Sequence, residues 1–196
     1  SRPRCLFQRK ADLEHRASVV CGAYRSLMQR HDLFRKGKSD PGSAFTGAEK
    51  VWSKYSTSEK FPATGGSEKN MKEDMPGKFD VADAEALDFE LGFPKAQASE
   101  IDDAASLMHM LNQNNFSCGV YHVKNSGSAE ALAGKIKENI FGRQWLCGFP
   151  EKLVILTVGD YIVSVFGAAE LTDTFIAKLS AEYSSTKQIF DVPIAS

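Results

Sequence analysis

His109, Cys118 and His122 fall within fourteen residues of one another, and these residue types could in principle hold a zinc ion. On a strand, four residues at about 3.3 Å each put Cys118 and His122 roughly 13 Å apart. Zinc bonds its ligands at about 2.0–2.3 Å, so one ion cannot reach both. His109 with either residue makes only a pair, and packed or exposed imidazoles are the better reading, so no metal is expected. The carboxylates Asp102-Asp103 could do acid–base work, but placed in the first turn of a helix they would simply complement its dipole. No Gly-x-Ser-x-Gly elbow is present, and Cys118 and Cys147 lack the flanking residues of a catalytic cysteine.

Two stretches remain. Arg143-Gln144-Trp145, with Phe149 close by, sets a guanidinium and an indole in a break between apolar segments, a combination that can line a small binding groove. The plainer reading has Trp145 and Phe149 covering the end of the core while Arg143 stays in solvent. Gly159-Asp160 joins two apolar runs, and the choice there is between a ligand loop and a turn. A phosphate-cradling loop needs several glycines opening onto a helix, whereas this pair opens onto another β-like run, so Gly159 and Asp160 are read as a structural hairpin turn of type I′. No motif implies a cofactor.

The elements that must position these residues follow from periodicity. Ser99-Glu100-Ile101-Asp102 has the form of a capping box, predicting a helix through Leu111 with Ile101, Ala104, Ala105, Met108 and Leu111 on one face. "NQNN" (112–115) ends it. "FSCGVYHV" (116–123) reads as a strand. "AEALAGKIKENI", after Ser128 as N-cap, carries Leu132, Ile136 and Ile140 at helical spacing. "KLVILTV" and "YIVSVFG" read as two strands about Gly159-Asp160, and Thr172, Phe175, Leu179 and Tyr183 stripe a last helix. The order from residue 99 is α-β-α-β-β-α. The fold class expected is α+β: a small mixed three-stranded sheet with helices packed on one face.

Upstream the character changes. Residues 1–40 hold ten Lys/Arg against four Asp/Glu, a balance of +6, leaving fourteen against twenty-one, or −7, for the rest of a chain whose net charge is −1. Leu13, Ala17, Val20, Tyr24 and Leu27 step at helical spacing, so residues 1–36 read as a basic amphipathic helix, either native or foreign to the domain that follows. Its basic face is read as solvated, since no aromatic or glycine pattern supports nucleic-acid readout. "ASVVCGAY" (17–24) is too short for a signal core. Residues 37–78 are dense in Gly, Ser, Pro, Lys and Glu, with aromatics only at Phe45, Trp52, Tyr55 and Phe61, and are read as a polar linker. The compact domain is expected over 79–196. No apolar run reaches the roughly 18–20 residues of a membrane span. Four cysteines in 196 residues make no disulfide framework, and packed thiols at Cys118 and Cys147 are preferred to a bridge.

Over about residues 85–183, the strand at 116–123, Phe149-Pro150, the run Leu153 to Val158, the hairpin Gly159-Asp160-Tyr161 and a helix with Phe175 at its centre together resemble a bacterial domain of unknown function. That domain is found in small putative lipoproteins of Gram-positive anaerobes. The resemblance implies an extracytoplasmic, envelope-associated module, held to a membrane only through a lipid anchor not visible in this chain, and it carries over no catalytic residue. The functional expectation is a non-enzymatic domain that binds a protein or small-molecule partner. A hydrolase-like enzyme using the Arg143–Phe149 region and a purely structural interaction module are the alternatives.

Overall fold

Residues 116–123 and 152–167 are dominated by β-branched and aromatic side chains, and they form the centre of a sheet that proves far larger than three strands. The computed structural model describes residues 42–145 and 148–194, all of which belong to one compact unit, Ser39–Ser196. Its strands are β1 (Ala63–Gly65), β2 (Lys72–Glu73), β3 (Gly77–Phe79), β4 (Ile101–His109), β5 (Phe116–Val123), β6 (Lys152–Val158), β7 (Tyr161–Gly167) and β8 (Thr186–Pro193). The helices among the described residues are α1 (Ala44–Trp52), α2 (Ala84–Leu91), α3 (Ala129–Phe141) and α4 (Ala169–Glu182). Short 3-10 turns fall at Glu68–Asn70, Lys95–Glu100 and Ser126–Ser128.

All eight strands join one sheet in the order β2-β1-β4-β5-β7-β6-β8, with β3 also paired to β4, and every pairing is antiparallel. This overturns the expected three-stranded mixed sheet with helices on one face. One cluster of buried side chains packs α1 and α4 on the face of Leu107, Val120 and Val163. A second packs α2 and α3 on the opposite face, against Tyr121, Ile155 and Phe166. The result is three layers, with apolar side chains alternating to both sides of each central strand.

Three departures from expectation account for the larger sheet. Residues 101–109 form a strand rather than a helix. Ala105 and Leu107 are buried on one face, Ala104 and Met108 on the other, and a run buried on both sides has no period-2 signature to set against a helical reading. Of the stretch 37–78 expected as linker, the described residues, from 42 on, supply a helix and, with Phe79, three strands. The scattered aromatics hold them: Trp52, Tyr55 and Phe61 form a buried group with ring centroids 4.7–6.5 Å apart. The glycines that suggested flexibility serve close packing, since a Cβ on Gly65 would lie 2.3 Å from the Ser106 carbonyl oxygen and 2.4 Å from the Gly77 nitrogen. Finally, residues 186–193 add the edge strand β8, which sets half-buried Ile189, Phe190 and Val192 beside exposed Lys187 and Asp191, carries a bulge opposite Ile155/Leu156 and ends at Pro193. Bulge, charge and proline are the usual guards of a sheet edge.

Some of the expected elements are in place, with differences in their details. β5, β6, β7, α3 and α4 occupy the expected segments, with Phe175 and Leu179 of α4 fully buried. Gly159-Asp160 is the two-residue β6–β7 hairpin turn, and Gly159 has φ +58°. Asp160 does not take a positive φ, which is the pattern of a II′ rather than a I′ turn. Ser128 precedes α3 but makes no side-chain cap, its hydroxyl donating instead to the Asn125 carbonyl. The basic helix expected over 1–36, and Cys5, Cys21 and Cys147, lie outside the described residues. Cys118 is a free and buried thiol.

Candidate functional site

Helix α3 ends at Phe141 with Gly142 as its cap, and the chain then turns back toward β6 through the residues singled out in the sequence. Arg143 lies with its guanidinium 5.1 Å from the Trp145 ring and 5.9 Å from the Phe166 ring, and it donates to the Phe89 carbonyl at the end of α2. Burial lowers its pKa, opposed by Asp88 and Tyr121 nearby. Trp145 packs on Phe166 at 5.5 Å and belongs to the α2/α3-face core. Arg143 and Trp145 are thus brought together as a stacked pair that seals the core. Phe149 stands outside that stack and is 55% exposed.

Phe149 has company. Phe89, Met110, Leu111 and Phe141 are also large, apolar and exposed, and the topology gathers them at one end of the sheet. That end is where β4 and β7 finish and β5 and β6 begin. Asn114 Nδ2 donates to the Gly148 carbonyl at 3.0 Å, Ala168 N to Asn115 O at 2.8 Å and Glu151 N to Gly167 O at 2.9 Å, tying the three loops together. The Arg143–Phe89 hydrogen bond joins the ends of α3 and α2 to the same region. Phe89 and Leu111 are the most exposed of the five, at 77% and 80%, and exposed apolar side chains gathered in one region are a common mark of an interaction site.

A second constellation occupies the opposite end of the sheet, on the α1/α4 face. His122 of β5 stands directly opposite Asp103 of β4 and Tyr161 of β7. Its Nδ1 is hydrogen-bonded to Asp102, which sits at a bulge in β4, and its ring lies 4.9 Å from that of Tyr161. Asp103 accepts from the Ala44 backbone nitrogen, in the first turn of α1, at 2.9 Å and lies 3.7 Å from the Lys78 ammonium. A carboxylate that accepts from one ring nitrogen sets the orientation and tautomer of an imidazole. Beside this pair α1 and α4 pack over Tyr161 and Val163, and the space left between Gly47, Ala48, Phe175 and Tyr183 takes no more than about one water.

His122 was legible only as a metal candidate. The structure separates the three: Cys118 is buried among apolar side chains, and His109, at the far end of the sheet, stacks on Phe61 at 5.5 Å and accepts from the Leu111 backbone through Nδ1. Among the described residues no group of three His, Cys, Asp or Glu could hold a metal ion. The Asp102–His122 pair was hidden because a helical reading of 99–111 left no register between the two segments. Comparison of the chain with known protein families, with characterised proteins and with solved structures finds no match.

Proposed function

We propose that the domain is a non-catalytic binding module of the cell envelope, and that the sheet end bearing Phe89, Met110, Leu111, Phe141 and Phe149 is its contact surface for a protein partner. The observation that supports this reading is that five of the six large apolar side chains exposed among the described residues lie at one end of the sheet, Met71 being the sixth. Aromatic and methionine side chains are enriched at the centres of protein interfaces, where their burial dominates the binding energy. Arg143 holds this surface in place through the Phe89 carbonyl and the stacked rings, which favours binding over the hydrolase-like alternative for the same region. The envelope location follows from the family resemblance and is tested by fractionating source cells.

The contact surface is tested by replacing Phe149, Leu111 or Lys72 in turn with a photo-crosslinking phenylalanine analogue. Lys72, exposed on β2, is the control. The same discrete adduct is expected from positions 149 and 111, absent at 72, and competed by unmodified protein but not by a Phe149→Ser/Leu111→Ser variant. Identical adduct patterns at all three positions would overturn the proposal.

A further inference from the structure

The sheet-end surface carries charge as well as hydrocarbon, and its charge has a prevailing sign. Helices α2 and α3 both finish here, so the negative ends of two helix dipoles lie beside the apolar side chains. On α2, Phe89 stands one turn beyond Glu85 and next to Asp88. On α3, Phe141 stands one turn beyond Glu138, and Phe149 comes two residues before Glu151. Glu85, Glu138 and Glu151 are all exposed.

The cations of the same region are engaged. Lys95 pairs with Glu85 and lies 3.9 Å from Asp88. Lys152 sits between Asp173 and Asp191, at 2.8 and 2.9 Å. Each of these lysines therefore meets two carboxylates. Arg143 is held over the Trp145 and Phe166 rings and at the Phe89 carbonyl, and the Lys137 ammonium lies 4.7 Å from the Phe190 ring. Glu138 forms no ion pair among the described residues. Helix α4 begins at this end with its positive pole, but Glu151 accepts from its Ala169 amide at 2.7 Å. An acidic partner would be repelled by this surface, whereas a basic one would gain from it, and such complementarity sets specificity and salt dependence more than raw affinity.

Building on the reading of this surface as the contact site, we infer that the partner presents a basic amphipathic segment, its apolar side chains on Phe89, Leu111, Phe141 and Phe149 and its lysines or arginines at Glu85, Glu138 and Glu151. The experiment is an amide-resolved NMR titration of the full chain with two synthetic peptides that share one pattern of leucines. The polar positions are all lysine in one and all glutamate in the other. The lysine peptide is expected to give saturable shifts centred on residues 89, 111, 141 and 149, weakening as salt rises from about 0.05 M to about 0.5 M. The glutamate peptide should bind at least about tenfold more weakly, a difference of about 1.4 kcal/mol. Glu85→Lys/Glu138→Lys, at two exposed helix positions, should narrow that preference while the shifts stay centred on the same residues. Equal or tighter binding of the glutamate peptide, indifference to salt, or a preference unchanged in the double variant would overturn the basic partner and leave the contact surface standing. Shifts centred elsewhere, or none from either peptide, would remove the contact surface and the inference with it. A dimer in sedimentation that Phe149→Ser/Leu111→Ser abolishes would assign the surface to a second copy, and flotation with phosphatidylcholine vesicles would assign it to a bilayer; either would overturn the basic segment.

Discussion

Gly119 lies at the middle of β5, opposite Ser106 of β4 on one side and Ser164 of β7 on the other. Two residues further on the same face, Tyr121 folds its ring back over the glycine. A Cβ at position 119 would stand 2.0 Å from Tyr121 Oη and 2.4 Å from its Cζ. The ring cannot retreat, because it is fully buried and tilted against Phe93 at 4.6 Å. Gly119→Ala therefore forces overpacking, at about 1–3 kcal/mol, together with an off-rotamer Tyr121 at about 0.5–1.5 kcal/mol. Against this stands about 0.5–1 kcal/mol gained by replacing a glycine within a strand. The expected net loss is about 1–3 kcal/mol in urea-induced equilibrium unfolding. Tyr121→Leu removes the clashing ring atoms, so the double variant should cost at least about 1 kcal/mol less than the two single losses added, well beyond the roughly 0.3–0.5 kcal/mol within which independent sites add. Tyr121→Phe retains Cζ and should give no such relief. Alone it should be neutral or stabilising by about 1 kcal/mol, because the buried Tyr121 hydroxyl has no hydrogen-bond partner among the described residues. Additive losses for Gly119→Ala and Tyr121→Leu would refute the account of this contact.

Three further outcomes are expected. Gly159→Val should destabilise the domain by about 1–3 kcal/mol, a purely conformational cost at φ +58° since no atom lies within 4 Å of its Cβ position; Asp160→Asn should be nearly neutral, and an unchanged unfolding midpoint for Gly159→Val would contradict the turn assignment. Cys118 is fully buried, and burial pushes its thiol pKa up, so its peptide should escape labelling by a thiol reagent at pH 8 and label only on unfolding. Glu59 accepts from the Ser56 amide and hydroxyl and from Lys178, which hold its pKa down to about 2 from the ordinary 4.5. Its contribution to stability is therefore present above about pH 4.5 and lost as pH falls toward 2, and a carboxyl titration by NMR with a midpoint near 4.5 would show that these hydrogen bonds do not persist in solution.

The parts of the fold legible in the sequence were those whose pattern is local. The β6–β7 hairpin announces itself through two apolar runs and Gly159-Asp160, and α3 and α4 through leucines, isoleucines and Phe175 at helical spacing. Strand β4 did not, because burial on both faces leaves Ile101, Ala104, Ala105 and Met108 compatible with a helix, and the Ser99–Asp102 capping pattern tipped the reading the wrong way. Residues 37–78, read as a linker, failed for a different reason. Their average composition is that of a linker, but Val51, Trp52, Tyr55 and Phe61 are placed so that few residues bury much area, and a composition average is blind to placement.

The same two failures concealed the Asp102–His122 pair and the contact that Asp103 makes with α1. His122 sits on a strand that was read correctly, yet Asp102 and Asp103 lie on β4, so nothing local to His122 could reveal them. Asp103 joins the three segments: it opposes His122 across the sheet and accepts the Ala44 amide near the start of α1. A carboxylate in that position complements the positive end of the helix, and the hydrogen bond ties α1 to β4. The stretch that resembles a linker is therefore what covers one face of the sheet. Variants that loosen α1, such as Trp52→Ala, which removes a buried ring and its hydrogen bond from Nε1 to the Asp74 carbonyl at 2.8 Å, should cost about 3–5 kcal/mol. They should raise amide exchange throughout 44–79 before the β5–β7 centre is affected. Uniform exchange across both regions would mean that α1 is integral to the folding of the sheet rather than a wall fastened to it at Asp103.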